Sequence, residues 1–123
     1  MIHLDTSVLI DALAGPKRSA ARMRQRIADG ERLIVSSLVL YEWLRGPRLA
    51  EELQAQEALF PMATSAPFGP DEARLAAELY RTVKRPRGRE IDLAIAACAM
   101  TGGAVLWTLN PVDFADIPSL RVL

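Results

Sequence analysis

The sequence of 123 residues holds one cysteine, Cys98, and one histidine, His3. A lone cysteine excludes an intramolecular disulfide and leaves no second thiolate for a metal site, so a reducing cytoplasm is the expected compartment. Excess charge of either sign is missing as well, with 15 Lys+Arg against 15 Asp+Glu. That balance excludes a uniformly basic domain held to phosphate by bulk attraction, so any phosphate partner must be held by local arrangement. No apolar run approaches the roughly 20 residues of a membrane span. Asp5 and Asp11 interrupt the first apolar stretch, which has no basic leader, and neither a signal peptide nor a membrane segment is expected. Internal repeats and low-complexity tracts are absent. What is present is 50% hydrophobic residues in a length too short for two ordinary domains. The expectation is one soluble domain over residues 1–123, long enough to bury a real core.

Turn and cap residues divide the chain. Ile2 to Leu4 read as a buried strand running straight into a helix that opens at Asp5-Thr6-Ser7 and stops at Gly15-Pro16. Lys17 to Asp29 reads as a second helix, Leu33 to Val35 as a second strand, and Ser36-Ser37 as caps for a helix broken at Gly46-Pro47. Leu49 to Leu59 is helical in pattern, while the proline-rich stretch from Pro61 to Pro70 has room for one short strand at most. Pro70-Asp71-Glu72 opens a helix to Lys84, and Glu90 to Met100 forms another that ends at Gly102-Gly103. Ala104 to Trp107 and Leu120 to Leu123 read as the last strands. This alternation predicts an α/β fold, a three-layer α/β/α sandwich with a mostly parallel sheet of four to five strands. In such sheets chemistry collects at the carboxyl ends of the strands.

Four acids stand where apolar or turn residues are the norm. Asp5 follows the first strand, where the bland role is helix capping. Asp92 is the only charged residue between Ile91 and Met100, and its helical face carries Ile95, Ala96 and Ala99. A carboxylate on such a face needs a partner, or burial raises its pKa until it takes a proton; the bland alternative is an acid complementing the helix dipole. Glu42 shares a face with Leu38 and Val39, and could equally form a surface pair with Arg45. Asp113 follows the strand ending at Trp107, in a segment where Asn110 is by default a turn residue. All four could converge at one end of the sheet, where mutual repulsion is tolerated around a cation. Oxygen-only ligation suits Mg²⁺ or Mn²⁺ and makes metal-assisted hydrolysis the natural reaction class. His3 is expected to be a packed side chain.

At these residues the chain resembles a known family. Met1-Ile-His-Leu-Asp5-Thr-Ser-Val-Leu-Ile-Asp11, Ser37-Leu-Val-Leu-Tyr-Glu42, Glu90-Ile-Asp92-Leu-Ala-Ile-Ala-Ala97 and Trp107-Thr-Leu-Asn110-Pro-Val-Asp113-Phe114 look like the motifs of PIN-domain ribonucleases, in order and in register. Within these the chain is most similar to VapC-type toxins of bacterial toxin-antitoxin pairs. The resemblance implies a Mg²⁺-dependent (Mn²⁺ possible) endoribonuclease that leaves a 5′-phosphate and a 3′-hydroxyl. Asp5, Glu42 and Asp92 would form the acidic core, and Asp113 is the carboxylate nearest to the position of the fourth acid. Asp5 and Asp92 would be the metal ligands, with Thr6, Ser7 and Asn110 in support. Many members carry Asp where Asn110 stands, which implies a weaker or missing second metal site. The resemblance further implies a homodimer neutralised by a partner antitoxin. A PIN-like RNA- or protein-binding module with weak catalysis is the alternative. A phosphatase of the haloacid-dehalogenase type ranks below both, because it wants a second Asp where this chain has Ser7.

The basic residues are bunched. Lys17, Arg18, Arg22, Arg24 and Arg26 form one run, and Arg81, Lys84, Arg85, Arg87 and Arg89 another that leads into Asp92. Arginine's planar fork suits phosphate, so Lys84, Arg85, Arg87 and Arg89 are candidate contacts to an RNA backbone. Tyr41, Trp43 and Tyr80 could stack on bases, although packing is the commoner use of each. Leu49, Leu53, Leu59, Phe60 and Met62 form an apolar set whose burial the sequence leaves open.

Overall fold

Three buried residues, Ile2–Leu4, form the central strand β1 of the computed structural model, which describes residues Met1–Leu123. The chain turns at once into α1 (Thr6–Leu13), which buries Val8, Leu9 and Ala12. A Cβ at Gly15 would stand 2.9 Å from the Asp11 Cα, so only glycine lets the chain leave α1 this tightly. The Asp11 carboxylate then accepts the Ser19 N–H at 2.8 Å and starts α2 (Arg18–Ala28). Strand β2 (Leu33–Ile34) is followed by α3 (Ser37–Arg45), capped by the Ser36 hydroxyl accepting from the Val39 N–H at 3.3 Å.

In α4 (Ala50–Leu59) the Glu52 side chain accepts the Leu49 N–H, and in α5 (Pro70–Thr82) Glu72 does the same for Gly69. Helix α6 (Glu90–Thr101) buries every residue from Leu93 to Ala99, and its alanines let α5, α3 and β3 (Val105–Trp107) come close.

The sheet order is β2-β1-β3, all parallel, with Leu4 in register with Trp107 and His3 between Ile34 and Leu106. The crossovers β1 to β2 and β2 to β3 run in opposite directions across the sheet, so right-handed connections put α1 and α2 on one face and α5 and α6 on the other. Helix α3 touches both α1 and α6. The core runs through Leu4, Val39, Trp43, Leu93, Leu106 and Phe114.

The sheet has three strands rather than the four to five expected. Val122 makes only a bridge to Leu106, because Pro118 and the left-handed Ser119 (φ 65) turn the chain just before it. Ala66 likewise makes one bridge to Ser36, and Pro67, which has no N–H, ends the pairing. The Pro61–Pro70 stretch otherwise forms a 3-10 turn over Met62–Thr64.

His3 is 2% exposed, and burial together with the positive amino terminus lowers its pKa to about 4. The unfolded chain takes up this proton near pH 6.5 and the native state only near 4. Stability therefore rises with pH between those values, by at most about 3 kcal/mol. In urea titrations at pH 4.5 and 6.5, His3→Gln is expected to lose that difference relative to wild type. An unchanged difference would show that His3 is not the group held neutral.

Candidate active site

The parallel register of β1 and β3 brings Asp5 and Thr108 side by side at the carboxyl ends of the strands. The Asp5 N–H donates to the Trp107 carbonyl at 2.8 Å, and the Asp5 carbonyl accepts from Val8 and Leu9 to begin α1. Asp5 occupies the N-cap position, yet its carboxylate caps nothing. Oδ2 accepts from the Ser7 hydroxyl at 2.9 Å and the Thr108 hydroxyl at 2.7 Å, and Oδ1 has no protein donor. Ser7 also accepts the Leu109 N–H at 3.1 Å, and Thr108 accepts the Asn110 N–H at 3.0 Å. Asp5 is therefore buried, 5% exposed, and fixed in orientation with one oxygen left over.

Glu42 reaches the same end from α3. The Thr6 hydroxyl donates to its Oε1 at 2.6 Å and Arg45 to its Oε2 at 3.2 Å. The surface pair expected with Arg45 thus forms, while the other oxygen is held by Thr6. Asp92 lies in the first turn of α6, half-buried. Burial first, then the charges of Asp5, Glu42 and Asp113, push its pKa up to about 6 against the pull of Arg89. Four acids thus share one electrostatic neighbourhood.

Asp113 is exposed on a 3-10 turn over Pro111–Phe114, which buried Phe114 pins to the core. The exposed Asn110 contributes its backbone, donating to Thr108 and accepting the Asp113 N–H at 3.0 Å.

Of the four candidate RNA-backbone cations, Arg89 is already committed. Its guanidinium donates to both oxygens of Asp116, at 2.9 and 2.6 Å, and to the Asp113 carbonyl at 2.9 Å, which ties the Asp113 turn to the start of α6. The pairing raises the Arg89 pKa and lowers that of Asp116. Lys84, Arg85 and Arg87 are exposed and outside every ion pair. In the earlier basic run, Arg22 and Arg26 cover the Trp107 ring at 5.2 and 5.4 Å, and Arg26 pairs with Glu31, so part of it serves the fold. Trp43 and Phe60 are core residues. Tyr41, Leu49, Leu59 and Met62 are exposed, and Leu53 and Tyr80 narrowly so.

No three His, Cys, Asp or Glu side chains close on one point tightly enough to grip an ion by themselves. The donor chemistry fits Mg²⁺ nonetheless, because that ion takes one or two carboxylates and fills the remaining positions with water and substrate phosphate. The oxygen donors gathered here are carboxylates and hydroxyls, with no sulfur or imidazole among the groups that bond Asp5 or Glu42. Sequence reasoning gave Thr108 no role. Its signal was its place, the first residue beyond β3 and in register with Asp5. The Arg89–Asp116 pair left no such signal, since the two are 27 positions apart.

A family model described as the PIN domain matches residues 2–120. Ribonuclease VapC19 of Mycobacterium tuberculosis is 34% identical over 120 residues, covering 96% of this chain and 95% of the relative. Among solved structures, DNA-bound VapBC from Salmonella typhimurium aligns with TM-score 0.74 and 26% identity, over 99% of this chain and 96% of that one. VapBC-1 from nontypeable Haemophilus influenzae aligns at 0.75 and 25%, over 100% and 97%. VapBC2 from Rickettsia felis, bound to a promoter DNA fragment, aligns at 0.77 over 100% and 98%, and its 22% identity speaks to the fold alone. No helix is long and apolar enough to cross a membrane. By these matches and by the motifs carrying Asp5, Glu42, Asp92 and Asp113, the chain belongs to the PIN-domain family and is a relative of its VapC ribonucleases.

Proposed function

We propose that the chain is a divalent-metal-dependent endoribonuclease and the toxin of a toxin-antitoxin pair, acting in the cytoplasm as a single PIN domain over residues 1–123. The observation that carries this reading is the gathering of acids at one end of the sheet: Asp5 held by Ser7 and Thr108, Glu42 held by Thr6, and half-buried Asp92, whose carboxyl is raised to about 6 by burial and by three neighbouring acids. Such a group is costly to a fold and useful at a site that receives a cation and a phosphodiester. Kinship to a ribonuclease and to chains solved as VapBC assemblies supports RNA as substrate and an antitoxin as partner. A homodimer is part of the same proposal.

Asp5 and Asp92 would hold Mg²⁺, or Mn²⁺ in its place. The chemistry supplied by the bound cation is neutralisation of charge on the scissile phosphate and a lower pKa for the attacking water. Ser7 and Thr108 hold Asp5 by one oxygen and keep the other free. Thr6 and Arg45 fix Glu42, which can then orient the attacking water or accept its proton. Asp113 adds negative charge on the side where β3 ends, and Asn110 keeps its turn attached to Thr108.

The test is cleavage of a structured RNA by the purified, antitoxin-free chain. Activity is expected to vanish in EDTA and to return with Mg²⁺ or Mn²⁺. Cleavage that persists in EDTA would sink the metal-dependent reading. No cleavage with either ion would favour a binding module.

A further inference from the structure

We propose that the connector between α5 and α6 is a cradle for single-stranded RNA, in which Tyr80 stacks on a base while Lys84, Arg85 and Arg87 hold the flanking phosphates. This rests on the ribonuclease reading above and deepens it. Tyr80, Lys84, Arg85, Pro86 and Arg87 line an open hollow of about 540 Å³. No acid lines it, and none of its three cations is paired. Tyr80, on the last turn of α5, is 37% exposed.

The hollow is held open by the fold. Val83 anchors the connector in the core at 7% exposure, and the Arg89 N–H closes a turn onto the Pro86 carbonyl at 3.0 Å. Gly88 sits at φ +80, where a side chain would be strained. Arg89 locks the far end to Asp116 and donates more weakly to the Arg85 carbonyl at 3.4 Å. Arg89 is thus a strut, and the three cations before it are presented on a prearranged backbone, which reduces the ordering cost of binding.

Charge complementarity and lining chemistry select the occupant. An acidic peptide would seek large aliphatic anchors beside its charges, and no Leu, Ile, Val, Met or Phe lines this hollow. A nucleic-acid strand needs cations spaced along its backbone and an aromatic face for a base, and both are here. The connector runs into the first turn of α6, where Asp92 lies, so cradle and acid are neighbours along the chain. A duplex hides its base faces from Tyr80, so a single strand is the better fit.

Binding measured in EDTA separates this from catalysis. The probe is a fluorescein-labelled single-stranded RNA of about 12 nucleotides, followed by anisotropy across a salt series. Each phosphate neutralised on a single strand contributes about 0.7 to the log–log salt slope, so Lys84→Ala/Arg85→Ala/Arg87→Ala is expected to lower it by about 2. Tyr80→Ala is expected to weaken binding about tenfold to a hundredfold at unchanged slope, and Tyr80→Phe to restore it. The charge-matched control Arg18→Ala/Arg24→Ala/Arg32→Ala should keep the wild-type slope, and thermal melts of all variants should stay near wild type.

The proposal is overturned by a triple variant that matches the control, by a Tyr80→Ala variant that binds as wild type, or by equal affinity for a duplex. It is also overturned by no RNA binding in the wild type, or by a polyglutamate peptide that binds the hollow as tightly as RNA. Cleavage in Mg²⁺ with triple-variant binding unchanged would remove the cradle and leave the ribonuclease. Cradle-dependent binding without cleavage would do the reverse.

Discussion

Asp92→Asn is expected to reduce RNA cleavage about a thousandfold, the scale on which removal of one preorganised charge-handling group acts at an active site. In EDTA the same variant is expected to melt higher than wild type. The sign follows from the raised carboxyl. The native state holds the Asp92 proton up to about pH 6, whereas the unfolded chain releases it near 3.8. Stability therefore falls as pH rises through that window, and above it the penalty of the buried anion is fully present. Discounted for half-exposure of the side chain, that penalty is about 1–2 kcal/mol at neutral pH, or several degrees of melting temperature. A neutral amide of the same shape escapes it.

Mg²⁺ should then stabilise wild type and stabilise the variant much less, because a ligand raises the melting point only in proportion to its affinity for the folded state. If Asp92 were an ordinary first-turn acid favouring the α6 dipole, its loss would lower stability by a few tenths of a kcal/mol. A variant that melts lower in EDTA and responds fully to Mg²⁺ would therefore sink the shared site.

Local chemistry made much of the fold readable. Gly15-Pro16, Gly46-Pro47 and Pro70 bound helices because their backbone limits act within a few residues, and α1, α3 and α5 begin or end close to where those residues stand. Strands β1, β2 and β3 were readable too, but the further strands expected beside them do not form. Leu120 to Leu123 has strand-forming residues, and its pairing was decided by the turn at Ser119 and by where Leu106 presents its edge.

The candidate site divides the same way. The acids were legible as charges on apolar faces, a signal that lives on one helix or one strand end. Which groups restrain them was not. Thr108 on Asp5, Thr6 on Glu42 and Arg89 on Asp116 join residues 103, 36 and 27 positions apart; the parallel register creates the first, the packing of α3 on α1 the second, and the approach of the Pro111–Phe114 turn to the start of α6 the third. Arg89 shows the cost of reading charge alone. As one of four adjacent cations it looked like an RNA contact, and its fork is occupied by a carboxylate.

Trp43→Ala is expected to cost about 3–5 kcal/mol, the range for emptying a large aromatic site in a core, and to lower the melting temperature by roughly 10–20 °C. Trp43 is fully buried on α3, next in sequence to Glu42, and the Arg48 guanidinium lies 4.3 Å from its ring centroid. Removing the ring takes a core contact from α3 and the aromatic face from Arg48, whose Nε is buried without a hydrogen-bond partner. Cleavage should fall with stability, because α3 is what carries Glu42 to Thr6. Trp43→Phe separates packing from polarity. The indole Nε1 has no acceptor, so losing it forfeits no hydrogen bond, and phenylalanine keeps a ring beneath Arg48. That variant is expected to cost about 1–2 kcal/mol and to retain most of the cleavage. Urea titration of both variants beside the RNA assay decides the matter. A Trp43→Ala protein within about 1 kcal/mol of wild type would mean that α3 is held in place by something other than this residue.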